Sequence, residues 1–103
     1  MAWRKRSPIT FYPTFNASLK AEGENAFTAT ALTGAAALGL SSEQAVAVVL
    51  GLKQKDFYKS MTTNADHKIW QDVYHAALKA GLVAYIKLTL RENGTVVIQF
   101  KEK

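Results

Sequence analysis

Two short segments hold the residues best suited to chemistry: Asp-Phe-Tyr-Lys-Ser-Met-Thr-Thr at 56–63 and Ile-Trp-Gln-Asp-Val-Tyr at 69–74. Each is a strand-like run mixing large aromatics with a lysine or an amide that a plain core does not require. Lys59 supplies a positive charge, Gln71 an amide that donates and accepts, and Tyr85 a phenol able to give or take a proton. Lys87 and Lys101 add charge further on, and His75 is the one imidazole of the strand region, a group that can titrate near neutrality. Such a set points to a surface for a polyanion. Each member also has an ordinary structural reading. A lone strand lysine commonly protects an edge or is solvated, an amide such as Gln71 is commonly exposed, and a strand tyrosine packs across strands with its hydroxyl in water. Met61, Trp70, Tyr58 and Tyr74 read as core, although Met61 shares a face with Lys59.

The composition narrows the function classes. The 103 residues fit a single domain, 1–103, with one modest core. The formal net charge is +5, and from Lys53 onward nine basic and five acidic residues leave +4 of it in the second half. That half is the better polyanion surface. Cysteine is absent, which excludes disulfides and thiolate metal sites, and the two histidines, His67 and His75, show no metal-ligand spacing, so no metal or cofactor is expected. There is no GxSxG, no paired catalytic carboxylate motif and no Gly-rich phosphate loop, which argues against a hydrolase of small substrates. The aromatic pattern and GXXG loop of common RNA-binding modules are missing too. The start, Met-Ala-Trp-Arg-Lys-Arg-Ser-Pro, is basic without an apolar run after it, so no signal peptide is expected and the cytoplasm is the expected location. Its Arg4-Lys5-Arg6 run is a weak phosphate contact or a solvated tail. The nearly uncharged stretch 28–52 is broken by Ser41-Ser-Glu-Gln44, and neither flank approaches the ~20 apolar residues that a bilayer requires.

The elements that must position these side chains change period along the chain. Phe11, Phe15 and Leu19 recur every four residues around Pro13 and predict a first helix that stops at Gly23. The stretch 29–38 is an alanine-rich helix weakened by Gly34 and ended by Gly39. Ser41 with Gln44 is a capping-box pattern for a helix over 43–50 that Gly51 ends. Its valines lower intrinsic propensity, so burial must hold it. Alternation then predicts strands at 56–62, 69–76, 84–91 and 95–101. A two-residue turn at Asn93-Gly94 would set the apolar residues of the last two strands on opposite faces. A three-residue loop, 92–94, instead opposes Leu90 to Val96, Leu88 to Ile98 and Ile86 to Phe100, giving one apolar face. The same register sets Lys87 beside Gln99 and Tyr85 beside Lys101 on the other face. Lys59 and Met61 share one face of the first strand, and Gln71 and His75 one face of the second. Whether those faces join that of Tyr85 depends on pairings that periodicity leaves open. Asp72 is a tension, because it shares a face with Trp70 and Tyr74.

The segments 56–63 and 69–74, with Tyr85-Ile-Lys87 and Phe100-Lys-Glu-Lys103, resemble the signature of the MqsR toxins, small bacterial endoribonucleases of toxin-antitoxin pairs. The resemblance covers about half of the chain continuously and the first half loosely. It implies an α+β fold like that of the RelE ribonuclease toxins, with N-terminal helices on one face of a twisted, mostly antiparallel sheet and RNA on the open face. It implies cleavage of single-stranded mRNA at GC-containing triplets. Lys59, Gln71 and Tyr85 would then be catalytic, with Met61, Lys87 and Lys101 contacting RNA. His75 joins the RNA-contacting set, or is a plain surface histidine, since a member of the family carries arginine there. His67 matches the family's histidine. Unperturbed lysine and tyrosine both have pKa values near 10, which leaves acid and base unassigned. The implied partner is an MqsA-type antitoxin with zinc-binding and helix-turn-helix domains, so zinc in a complex would belong to the partner, and neither a membrane nor direct DNA binding is expected. The alternative is a non-catalytic RNA-binding or ribosome-associated module using the same basic face.

Overall fold

The computed structural model describes residues 13–62, 69–90 and 96–103. Helix α1 (Pro13–Glu22) begins with proline, whose missing N–H is no loss in a first helical turn. Phe15 and Leu19 form its buried stripe, while Phe11 lies outside the described residues. A 3-10 turn over Gly23–Ala26 leads to α2 (Ala29–Ala37), capped by Thr28, whose hydroxyl accepts from the Ala31 N–H at 3.0 Å. Helix α3 (Ser42–Leu50) opens with the expected capping box: Gln44 N–H donates to Ser41 Oγ at 3.1 Å and Ser41 N–H to Gln44 Oε1 at 2.8 Å. Ala45 and Val49 of α3 are buried, so packing compensates for the weak helix preference of its valines. The apolar pair α2 and α3 turns by 95° at its break, and no single described helix is long and apolar enough to cross a membrane.

Strands β1 (Phe57–Thr62), β2 (Trp70–Ala77), β3 (Val83–Leu90) and β4 (Val96–Glu102) form an antiparallel sheet in the order β1-β2-β3-β4. Their bounds fall within a residue or so of expectation where residues are described; Arg91 and Thr95, the expected end of the third strand and start of the fourth, lie outside them. Asp56 belongs to a 3-10 turn over Gln54–Asp56 instead of the strand, because its carboxylate is engaged there by the Lys53 N–H at 3.0 Å. The β3–β4 register is the one that gives a single apolar face: Leu90 opposes Val96, Leu88 Ile98 and Ile86 Phe100. The turn at 92–94 lies outside the described residues.

The apolar face of the sheet and the helices share one core. Tyr74, Ala76, Ile86, Leu88, Ile98 and Phe100 meet Phe15, Leu19, Phe27, Ala31, Ala35 and Val49. The alanine-rich composition of α2 and its glycine have one cause. A Cβ on Gly34 would stand 2.2 Å from the Phe100 carbonyl oxygen, so the helix backbone rests directly on β4. Beside it, Thr28 N–H donates to the Ile98 carbonyl at 3.1 Å, and Phe27 and Ile98 form a parallel bridge at the outer edge of β4. Asp72 is buried with the core, as its strand position requires, and both carboxylate oxygens are engaged. Ser60, directly opposite on β1, donates to Oδ1, and the Tyr74 hydroxyl donates to Oδ2 at 3.4 Å. A buried carboxylate needs such partners.

Candidate active site

Three registers decide which side chains meet on the face turned away from the helices. Gln71 opposes Thr89, Val73 opposes Lys87 and His75 opposes Tyr85 across β2–β3. Tyr85 opposes Lys101 and Lys87 opposes Gln99 across β3–β4. Strand β1 joins through a bulge: Phe57 opposes Tyr74, yet Lys59 opposes Val73, so Tyr58 is an extra residue. Without it the period of two would place Lys59 on the core side with Phe57. The bulge leaves Phe57 packed edge-on against Tyr74 and turns Lys59 and Met61 outward. Lys59, Met61, Gln71, His75, Tyr85, Lys87 and Lys101 therefore share one face, the point that periodicity left open. With neighbouring strands about 4.8 Å apart, the Lys59 and Lys87 backbones flank Val73 in one cross-strand row. His67 and Arg4-Lys5-Arg6 lie outside the described residues.

A second row is aromatic. The Tyr58 ring stacks on His75 with centroids 4.4 Å apart, and His75 lies 5.8 Å from Tyr85. Lysine closes both ends, with Lys101 Nζ 5.2 Å from the Tyr85 centroid and Lys59 Nζ 5.7 Å from that of Tyr58. Tyr58 was expected in the core, and the structure corrects this: it is 59% exposed, because the bulge turns it out beside His75. Tyr74 and Met61 are buried as expected, and Trp70 is half-buried. Met61 is on the open face, next to Gln71 in register, and is buried there. Gln71 Nε2 donates to Thr89 Oγ1 at 3.1 Å, which holds the amide in place. Burial of the His75 ring, and then the charge of Lys103, hold its pKa below the ordinary 6.5, which favours the neutral ring.

Among the described residues this face carries no carboxylate, and no described group of three His, Cys, Asp or Glu side chains could hold a metal ion. Lysines and phenols suit a phosphate better than a divalent cation. At the β4 border the face runs into a cleft of about 370 Å³, lined on one side by Thr28, Thr30 and Ala31 and on the other by Tyr85, Lys87, Gln99 and Lys101. The sequence gives no sign of this wall, because only the bridge between Phe27 and Ile98 brings the start of α2 there. A larger recess of about 570 Å³, beside Leu38, Leu40, Val48, Leu78 and Leu82, is mainly apolar and shares no residue with this face apart from Ala77.

Helices on one side of an antiparallel sheet, with a cationic and aromatic face on the other, define a small α+β protein whose free sheet face has chemistry suited to a polyanion. Comparison with known proteins makes the class specific. A family model described as "Motility quorum-sensing regulator, toxin of MqsA" matches residues 7–102. The chain is 42% identical over 99 residues to the mRNA interferase toxin MqsR of Escherichia coli (strain K12), covering 96% of this chain and 98% of that protein. The protein belongs to the MqsR toxin family.

Proposed function

We propose that the protein is the toxin of a toxin-antitoxin pair that cleaves single-stranded mRNA without a metal, and that an MqsA-type antitoxin restrains it. The observation that carries this reading is the convergence of Lys59, Gln71, Tyr85, Lys87 and Lys101 on one sheet face free of described carboxylates. In the reaction, the 2′-hydroxyl attacks the adjacent phosphorus, the bond to the 5′ oxygen breaks, and a 2′,3′-cyclic phosphate and a 5′-hydroxyl result. A site for it must move the 2′ proton, stabilise charge on the phosphorus oxygens and protonate the leaving oxygen. Lys59 and Lys101 supply positive charge. Tyr85, held between His75 and Lys101, donates or accepts a proton. Gln71, anchored on Thr89, orients the phosphate or a base edge. Met61, beside Gln71 in register, contacts the RNA together with Lys87 and His75. The preference for GC-containing triplets rests on the family alone.

The test is incubation of purified protein with end-labelled RNA. Discrete products that persist in EDTA, carry cyclic phosphate ends and vanish with a single 2′-deoxy substitution at the scissile nucleotide are expected. Activity abolished by EDTA and restored by magnesium would sink the mechanism. Binding without products would leave the non-catalytic module.

A further inference from the structure

Tyr58 has no part in the chemistry above, and its position calls for a reason. It is the large hydrophobic side chain most exposed among the described residues, at 59%, and it lies on an edge strand where an exposed ring gains little from packing. Cross-strand aromatic packing explains its contact with His75, but not why so much of the ring stays open. The bulge at this position turns two consecutive residues, Tyr58 and Lys59, toward the same face, putting a ring and a charge side by side. From Tyr58 the ring planes continue to His75 at 4.4 Å and to Tyr85 at 5.8 Å. The interplanar angles are 22° and 37°, so the rings form a shallow stair leading away from the proposed reacting group. The cations stand at the two ends of the stair, Lys59 by Tyr58 and Lys101 by Tyr85.

We infer that Tyr58 is a stacking platform for an unpaired nucleobase flanking the scissile phosphate, with Lys59 close enough to meet that nucleotide's phosphate. The inference rests on the ribonuclease reading of the same face and adds a subsite to it. An unpaired base offers a π face whatever its identity, so the platform holds single-stranded RNA in register without reading sequence. A duplex, whose bases are already stacked, cannot use it. Tyr58 is thus a positioning residue, affecting how substrate is held more than how fast it reacts.

The experiment uses the full chain and a short single-stranded RNA carrying 2-aminopurine, moved one position at a time around the mapped cleavage site, with a 2′-deoxy scissile nucleotide to prevent cutting. Wild-type protein is expected to quench the fluorophore at one flanking position. Tyr58→Ala is expected to remove that quenching and weaken binding about tenfold, the lower part of the range for a stacked base. Tyr58→Phe is expected to retain both, and with cleavable RNA Tyr58→Ala is expected to raise KM more than it lowers kcat. A wild-type dissociation constant for Tyr58→Ala, the absence of any quenched position, or a Tyr58→Phe variant as weak as Tyr58→Ala would overturn the platform. Wild-type protein that quenches the probe but never cuts its cleavable counterpart would instead overturn the ribonuclease reading and leave the platform standing.

Discussion

Lys59 and Tyr85 project from the face opposite the core, so removing their functional groups is expected to impair chemistry more than folding. Lys59→Ala and Tyr85→Phe should each lower cleavage at least about tenfold, equivalent to about 1.4 kcal/mol of transition-state stabilisation, while the thermal midpoint barely moves. Folded variants with full activity in single-turnover cleavage would remove both residues from the site. His75 gives a different signature. Its folded pKa is depressed by burial and by Lys103, so the folded protein resists protonating it. The stability contributed by the neutral ring is whole above the unfolded value of 6.5 and is lost as pH falls through the lower folded value. Melting curves taken as the pH is lowered through this window are expected to drop more steeply for wild type than for His75→Gln. Equal slopes would mean that the ring is not held neutral by its surroundings.

Among the elements, α2 makes the sharpest prediction. Gly34→Ala in an exposed helix would add about 1 kcal/mol of stability, but here the new methyl would stand 2.2 Å from the Phe100 carbonyl. The sign reverses, and chemical denaturation is expected to show a loss of about 1–3 kcal/mol, the range for overpacking. Gly34 also marks the limit of sequence reading. Its helix-weakening effect was visible, but its cause was not, because the clashing oxygen lies far along the chain on β4. By contrast, the capping box of Ser41 and Gln44 and the register of β3–β4 were legible, since each is decided by residues close in sequence. The β1–β2 and β2–β3 pairings were not, and three findings depended on them: the bulge at Tyr58, the meeting of Ser60 with Asp72, and the gathering of Lys59 and Gln71 with Tyr85. Alternation identifies which residues of a strand share a face, but it does not identify the partner strand or its offset.

At the scale of the whole molecule, the proposed function has the excess charge and the open sheet face act together as an RNA surface, and a ribonuclease of this kind harms the cell that makes it unless restrained. Expression of the wild-type chain alone is expected to arrest growth, Lys59→Ala is not, and co-expression of the neighbouring antitoxin should rescue growth through a stable complex. Wild-type protein that accumulates harmlessly in its native host, with every candidate partner deleted, would count against the toxin reading. The contact between α2 and β4 bears on when such harm can begin. Thr28 and Gly34 are made early and lie against Ile98 and Phe100, which are made much later, and Lys101 follows them. On the ribosome, α2 therefore lacks its main docking surface until β4 emerges, and the cleft lacks the Gln99 and Lys101 part of its opposite wall. On the proposed reading, a nascent or prematurely terminated chain that lacks β4 is expected to be harmless, the cleft being completed only as synthesis nears the end of β4.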